Sequence, residues 1–451
     1  MRILAKCALL PAGWSANVAV TIADGAIASV EPDAEARPGD NPVDCLLPAL
    51  SNLHSHSFQR AMAGMTEFRA AGRESFWTWR TLMYRYLERL TPEHVQAIAE
   101  LAFMEMLEAG YAAVGEFHYL HHAPGGHAYD DIGEMSARIM QAAAATGLGL
   151  THLPVLYTFG GVDGGALEGG QLRFGNDVDR FCLLVERCRD IARDLPRDAR
   201  VGVAPHSLRA TSAGDLARLL DAAPDGPVHI HIAEQTQEVE EIMAGLGARP
   251  VEWLLANADV SPRWCLIHAT HMTDDETQGM AASGAVAGLC PVTEANLGDG
   301  VFPGKTYLDA GGAFGVGTDS NIRIDMAEEL RTLEYSQRLT HRARNVLAPE
   351  GGSTGEALYL NAARGGAQAL GRPSGAIAVG RLADFVAIGR NHPALYALTE
   401  GQLLDGLVFA GGDGAITDVW SAGRHLVRDG RHIHHDRIVA RYRAAMAELL
   451  G

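Results

Sequence analysis

The stretch "PALSNLHSHSFQRAMAG", beginning at Pro48, puts His54 and His56 two residues apart at the end of an apolar run. On a strand, side chains two apart point the same way, so this pair can present two imidazole nitrogens to one ion. His231 in "HIHIAE" and Asp319 in "GTDSN" end two later runs of the same kind. Three neutral imidazoles and one carboxylate, with a position left for water, suit a catalytic Zn²⁺; the same donors accept iron. Three more polar residues, His206, Glu234 and His268, close comparable runs. Singly, each has an ordinary reading: a polar strand end for the His54–His56 pair, a hydrogen-bonded core histidine for His268, a turn or helix cap for Asp319. Their recurrence at one strand end after another points instead to a catalytic metal site. His229 stands two residues before His231, and of the two His231 is the expected ligand.

Such a constellation needs a frame that gathers strand ends. Eight strand-like runs are legible, at 46–55, 112–120, 149–158, 200–208, 227–234, 264–271, 285–294 and 313–321. Amphipathic helical stretches separate most of them, for example 91–110 and 179–195. Pro92 just inside the start of the first, and Gly110 just past its end, fit helix preferences. Eight strand–helix units predict an α/β protein, a (β/α)8 barrel enlarged by insertions, with its chemistry at the C-terminal strand ends. Residues 1–46 read as short strands around the Asp24-Gly25 hairpin signal, and after Gly371 strands return before a last amphipathic helix. Neither terminal piece can bury a face alone, so the two are expected to pair into one small β domain. The expected division is 1–46 and 371–451 for that domain, terminal helix included, and 47–370 for the barrel.

The chain has 451 residues, enough for about two to three domains or one large barrel with an appendage. Its composition, 47% hydrophobic and 20% charged, is that of a globular enzyme. A net charge of −18 argues against nucleic acid or an anionic membrane as partner. It does not exclude a small acidic substrate, because a few arginines can dominate a pocket. The six cysteines form no CxxC pair, and no apolar run has the form of a signal peptide or reaches the ~18 residues of a membrane span. A reducing cytoplasm is expected. Only two lysines occur, Lys6 and Lys305. Two histidine-rich stretches stand apart from the constellation. In 118–127, expected at the pocket mouth, Tyr119 is the one candidate pocket residue; 431–436 is expected to be solvated.

In combination, "NLHSH", "HIHIAE", "LIHATH", "GTDS" and the late "GAIAVGRLADFVAI" resemble the amidohydrolase superfamily over nearly the whole chain. The resemblance implies a distorted (β/α)8 TIM-like barrel and a small β-sandwich domain assembled from both termini. Many members hold two metals bridged by a carboxylated lysine on the fourth strand. Here that run reads "RVGVAPHSL", and neither lysine falls on a barrel strand. A single-metal site is therefore expected, as in the superfamily's deaminases. "LHSHSFQRAMAGM", "ESFWTWR" and "APHSLRA" are similar to members that deiminate a linear amidine carried by a small dicarboxylate. That similarity implies Gln59, Arg80, Tyr119, His206 and Arg209 as substrate contacts, and relatives imply a homodimer. Two guanidinium groups suit two carboxylates, each gripped through parallel hydrogen bonds. A relative that deaminates a ring, in guanine or an S-adenosyl compound, would have no use for them. The implied roles are metal binding by His54, His56, His231 and Asp319, and catalysis by Glu234, His268 and Asp319. Glu234 would carry a proton to the leaving nitrogen, and Ser320 would orient Asp319. A barrel that had lost catalysis would lack one of these ligands or Glu234, and all are present.

Overall fold

The computed structural model describes residues 1–67 and 76–451; Glu74 and Ser75 of the "ESFWTWR" stretch lie outside them. Strands β1 (Arg2–Leu10), β2 (Gly13–Ala23), β3 (Ala26–Glu31) and β4 (Asn41–Pro48) come first. They are followed by β5 (Leu50–Ser55), β6 (Tyr111–His118), β7 (Gly149–Leu156), β8 (Arg200–Val201), β9 (Ala204–Pro205), β10 (Val228–Ile232), β11 (Trp264–His268), β12 (Val286–Leu289) and β13 (Ala313–Val316). The last strands are β14 (Phe385–Ile388), β15 (Ile416–Ser421), β16 (Arg424–Arg428) and β17 (Arg431–His432).

Both termini build one mixed sheet, in the order β17-β16-β15-β14-β4-β1-β2-β3. Strands β5 to β13 are parallel and form two arcs, β5 to β9 and β10 to β13. Single parallel bridges join the arcs, Val203 to Val228 at one seam and Ser55 to Asp319 at the other. The result is a distorted (β/α)8 barrel whose regular ladder breaks at each seam. Among the described residues no helix is long and apolar enough to cross a membrane.

Three of the expected runs divide differently, one of them 200–208, which holds the two short strands β8 and β9. The run 46–55 spans two strands: Leu46–Pro48 belongs to the terminal sheet, where Pro48 faces Phe385, and the barrel strand starts at Leu50. Both parts are buried, so hydropathy shows no break between them. The run 285–294 leaves the strand at Leu289, and Pro291 opens the helix Pro291–Leu297. Proline's fixed φ suits a first helical turn, where its missing N–H costs nothing. The helix Pro92–Glu108 begins as expected, with the Thr91 hydroxyl accepting from the His94 N–H. The C-terminal helix His435–Leu450 packs Ile438 against Leu101 and Met104 of that helix.

The helix Thr354–Ala369 lies close against the closing seam. A Cβ on Gly365 would stand 1.9 Å from the Phe314 carbonyl oxygen, so only glycine permits this approach.

A buried ion-pair cluster fastens the terminal sheet to the barrel. Arg372, 4% exposed, donates to Asp384 at 2.7 and 3.1 Å and to the Asp198 carboxylate at 3.0 Å. Arg424 reaches the same Asp198 at 2.8 Å. Burial pushes the Asp198 carboxyl up, but Arg424 and Arg372 outweigh it and hold it well below the usual carboxylate range. Removing one partner of a buried pair leaves an uncompensated charge, so Arg372→Met is expected to cost about 3–5 kcal/mol in urea unfolding. A carboxylate depressed on folding stabilises fully above its unfolded value and loses that contribution as pH falls below about 4. The variant should therefore show a shallower loss of stability in acid than the native chain.

Candidate metal centre and substrate pocket

The closing seam positions the donors. The Asp319 N–H donates to the His54 carbonyl, and the Asp319 carbonyl accepts from the His56 N–H, each at 2.9 Å. A Cβ on Gly317 would stand 2.7 Å from the His54 backbone, so the chain after β13 runs tight along β5. The Thr318 N–H donates to Asn52 Oδ1 at 3.0 Å, and Asn321 Nδ2 donates to Ser55 Oγ at 3.1 Å. Asp319 at φ 46° and His268 at φ 68° hold left-handed conformations that residues with a Cβ rarely adopt. Such backbone persists only where its surroundings over-determine it, and functional rims are where it gathers.

His54 Nε2 lies 3.1 Å from His231 Nε2 and 3.5 Å from Asp319 Oδ1, and His56 Nε2 lies 3.2 Å from the same oxygen. All four donor atoms fall within 4.8 Å of one another, and all four residues are buried. Ligands bonded at ~2.0–2.1 Å to one tetrahedral cation stand about 3.3 Å apart, so the spacing fits a single ion. His56 Nδ1 donates to the Phe117 carbonyl at 2.9 Å, which fixes the tautomer and leaves the Nε2 lone pair facing the other donors. Burial pulls His54 down to about 3 and His231 well below the ordinary imidazole value, so both stay neutral. Burial pushes Asp319 up, but the neighbouring His54 and His56 outweigh that and hold it well below the ordinary carboxylate value. The donor set is thus three imidazoles and a carboxylate, which is what a divalent transition metal takes. His229 is outside it, its Nε2 donating to the Ala369 carbonyl at 2.7 Å.

Beside the donors, Glu234 Oε1 lies 3.7 Å and Asp319 Oδ2 lies 3.9 Å from His268 Nε2. Burial raises Glu234 to about 7, the range a proton carrier needs near neutrality. Burial lowers His268, but Glu234, Glu294 and Asp319 around it more than reverse this and raise it to about 10. Sequence pattern alone missed Glu294. It is buried, its Oε1 lies 3.3 Å from His268 Nδ1, and it accepts the Cys290 N–H at 2.8 Å. The available signal was an acid one turn past Pro291 in an otherwise apolar run. Glu116 was missed too: it accepts the Ser57 N–H at 2.8 Å and the Ser57 hydroxyl at 2.6 Å, fixing the turn after His56. An acid inside the apolar strand β6 was its signal. The Ser320 hydroxyl lies 3.0 Å from that of Thr293, and among the described residues this is its side-chain hydrogen bond, not one to the Asp319 carboxylate.

A cavity lies over these groups. Gln59, Arg80, Tyr119, His206 and Arg209 all line it, together with Glu234, His268, Asp319 and Ser320. Gln59 donates to the Tyr119 oxygen at 2.6 Å, and burial raises the Tyr119 phenol so that it keeps its proton. Arg80 donates to Tyr157 at 2.9 Å and lies over the Tyr84 ring at 5.2 Å. Aromatic rings are therefore present, and two of them hold a guanidinium. Arg209 is buried; burial opposes its charge, and Glu238 and neighbouring groups outweigh that. Burial first, then Arg209 and Arg80, keeps His206 neutral. Two guanidiniums among neutral donors suit a small dianion.

Of the histidine-rich stretches, His118, His121 and His122 are buried outside the cavity lining, and only Tyr119 reaches it. His432 in the second stretch is buried rather than solvated, its Nε2 donating to the Thr146 carbonyl at 2.9 Å.

A family profile described as the amidohydrolase family matches residues 45–426, and one described as formimidoylglutamate deiminase HutF, N-terminal domain, matches residues 1–44. The chain is 48% identical over 454 residues to a formimidoylglutamate deiminase of Pseudomonas aeruginosa, covering 99% of each chain. To a 5-methylthioadenosine/S-adenosylhomocysteine deaminase of Natronomonas pharaonis it is 27% identical over 384 residues, covering 80% of this chain and 78% of the other. Its fold matches the crystal structure of an amidohydrolase from Brucella melitensis with a TM-score of 0.96 and 49% identity, covering 100% of both chains.

Asp319→Ala removes the one anionic donor of the cluster. Elemental analysis of the purified variant should show most of the bound metal lost, with the circular dichroism spectrum unchanged. A fully metallated, active variant would contradict the assignment of Asp319 as a ligand.

Proposed function

The chain belongs to the amidohydrolase family, and from that premise we propose that it hydrolyses the formimino group of N-formimino-L-glutamate, yielding N-formyl-L-glutamate and ammonia. Identity across the full length of both chains to a formimidoylglutamate deiminase carries this reading. The two arginines lining a cavity in a chain of net charge −18 support it, because this substrate carries two carboxylates. The family is metal-dependent, and we assign the ion to His54, His56, His231 and Asp319. The finer parts of the reading are zinc as that ion, a place in histidine degradation, a cytoplasmic setting and a homodimer.

When bound, the cation supplies the Lewis acidity that makes a water nucleophilic near neutral pH. The chain's own groups do the rest. Asp319 takes a proton from the attacking water. His268, held at Nδ1 by Glu294, directs Nε2 toward the reacting centre and stabilises negative charge growing on the attacking oxygen. Glu234, raised toward neutrality by burial, delivers a proton to the terminal nitrogen as the C–N bond breaks and ammonia leaves. Arg80 and Arg209 grip the carboxylates, and Gln59, Tyr119 and His206 complete the polar lining. Water's oxygen gives up its second proton to Glu234 as it becomes the new C=O, and the glutamate nitrogen keeps the formyl group.

Glu234→Gln keeps the shape of the pocket and removes the proton carrier. Turnover measured by ammonia release should fall by about a hundredfold or more on general acid–base magnitudes, with metal content unchanged. Retained activity would take Glu234 out of the proton path. Across substrates, the native chain should release ammonia from N-formimino-L-glutamate and not from guanine or S-adenosylhomocysteine; the opposite preference would replace this reading by that of a ring deaminase.

A further inference from the structure

Tyr157 follows β7, is 3% exposed and lines the cavity. A phenol offers one proton and accepts through two lone pairs. Two donors reach this oxygen: Arg80 at 2.9 Å and Gln171 Nε2 at 3.2 Å. Neither can take its proton. A guanidinium has only N–H groups to offer. The Gln171 amide is oriented by its other end, where Oε1 accepts the Glu168 N–H at 3.1 Å and so turns NH₂ toward Tyr157. His206 meets the phenol ring edge-on, with centroids 4.5 Å apart, and its Nδ1 is engaged by the Ser207 hydroxyl at 3.0 Å. Both lone pairs of the phenol are committed, and among the described residues its O–H has no acceptor.

A buried donor without a protein acceptor costs free energy unless water or a ligand supplies one. The two bonds already on the oxygen also polarise the O–H, which strengthens what it can donate. The best acceptor for such a group is an anionic oxygen. We infer that Tyr157 donates its hydroxyl proton in a hydrogen bond to the substrate carboxylate that Arg80 grips. This rests on the functional reading above. It makes Tyr157 a substrate-binding residue in its own right and Gln171 the residue that positions it. The selected ligand class is an acyclic amidine with a carboxylate at this end; a neutral amide there would offer a poorer acceptor.

Tyr157→Phe keeps the ring and removes the hydroxyl. On N-formimino-L-glutamate, KM should rise by about ten- to a hundredfold, the range for hydrogen bonds to charged groups, with kcat changed far less. The penalty should persist when Tyr157→Phe is combined with Arg80→Met, because the hydroxyl contacts the carboxylate directly. It should vanish on one of two analogues, each lacking one carboxylate. An unchanged KM overturns the inference and leaves the functional reading standing, as does a penalty that disappears in the Arg80→Met background, which would mean Tyr157 acts only through the arginine. A native chain inert toward N-formimino-L-glutamate overturns both.

Discussion

The rest of the structure depends on how the barrel closes. One stretch of β5, from the His54 carbonyl to the His56 N–H, holds the Asp319 backbone by both of its hydrogen-bonding groups. Barrel closure and assembly of the metal donors are therefore one event. Three of the four donors lie on that seam, and the fourth, His231, reaches them from β10. Gly317 permits the close approach, and the Asn52, Ser55, Thr318 and Asn321 side chains satisfy the polar groups buried by it. A donor cluster built on such backbone is rigid before any ligand arrives, and pre-organisation of this kind is what a catalytic cation site requires.

The second constraint is charge. The chain is acidic overall, and its pocket carries two guanidiniums. Each is kept by local partners: Arg80 by the Tyr157 oxygen and the Tyr84 face, Arg209 by the field of Glu238. The negative groups of the site gather around His268, where Glu234, Glu294 and Asp319 converge on one imidazole. A substrate that carries two carboxylates and an amidine is complementary to such a set of groups. In the proposed reaction the arrangement separates recognition from chemistry, the arginines fixing the dianion and the acids managing protons at the carbon that reacts.

Much of this was legible in the residue order. His54, His56, His231 and Asp319 could be read because strands repeat every second residue and barrels collect their C-terminal ends. The candidate substrate contacts came from resemblance, and all five line the cavity. What escaped did so for physical reasons. Glu294 was hidden because Pro291 turns the chain from strand to helix within an apolar run, which changes where its side chain points. The boundary between β4 and β5 was invisible because both strands are buried. His432 was misjudged because a histidine among histidines looks solvated, whereas the Thr146 carbonyl gives it a buried partner. The importance of Tyr157 depends on which way its neighbours' N–H groups face, and no spacing rule carries that information.

The central claim is that His54, His56, His231 and Asp319 share one cation. Anomalous X-ray diffraction from crystals of the metal-loaded chain tests it most directly. One peak per chain is predicted, about 2.0–2.2 Å from the three Nε2 atoms and an Asp319 oxygen. A second metal peak in the pocket, or a sole peak bound by other residues, would contradict it.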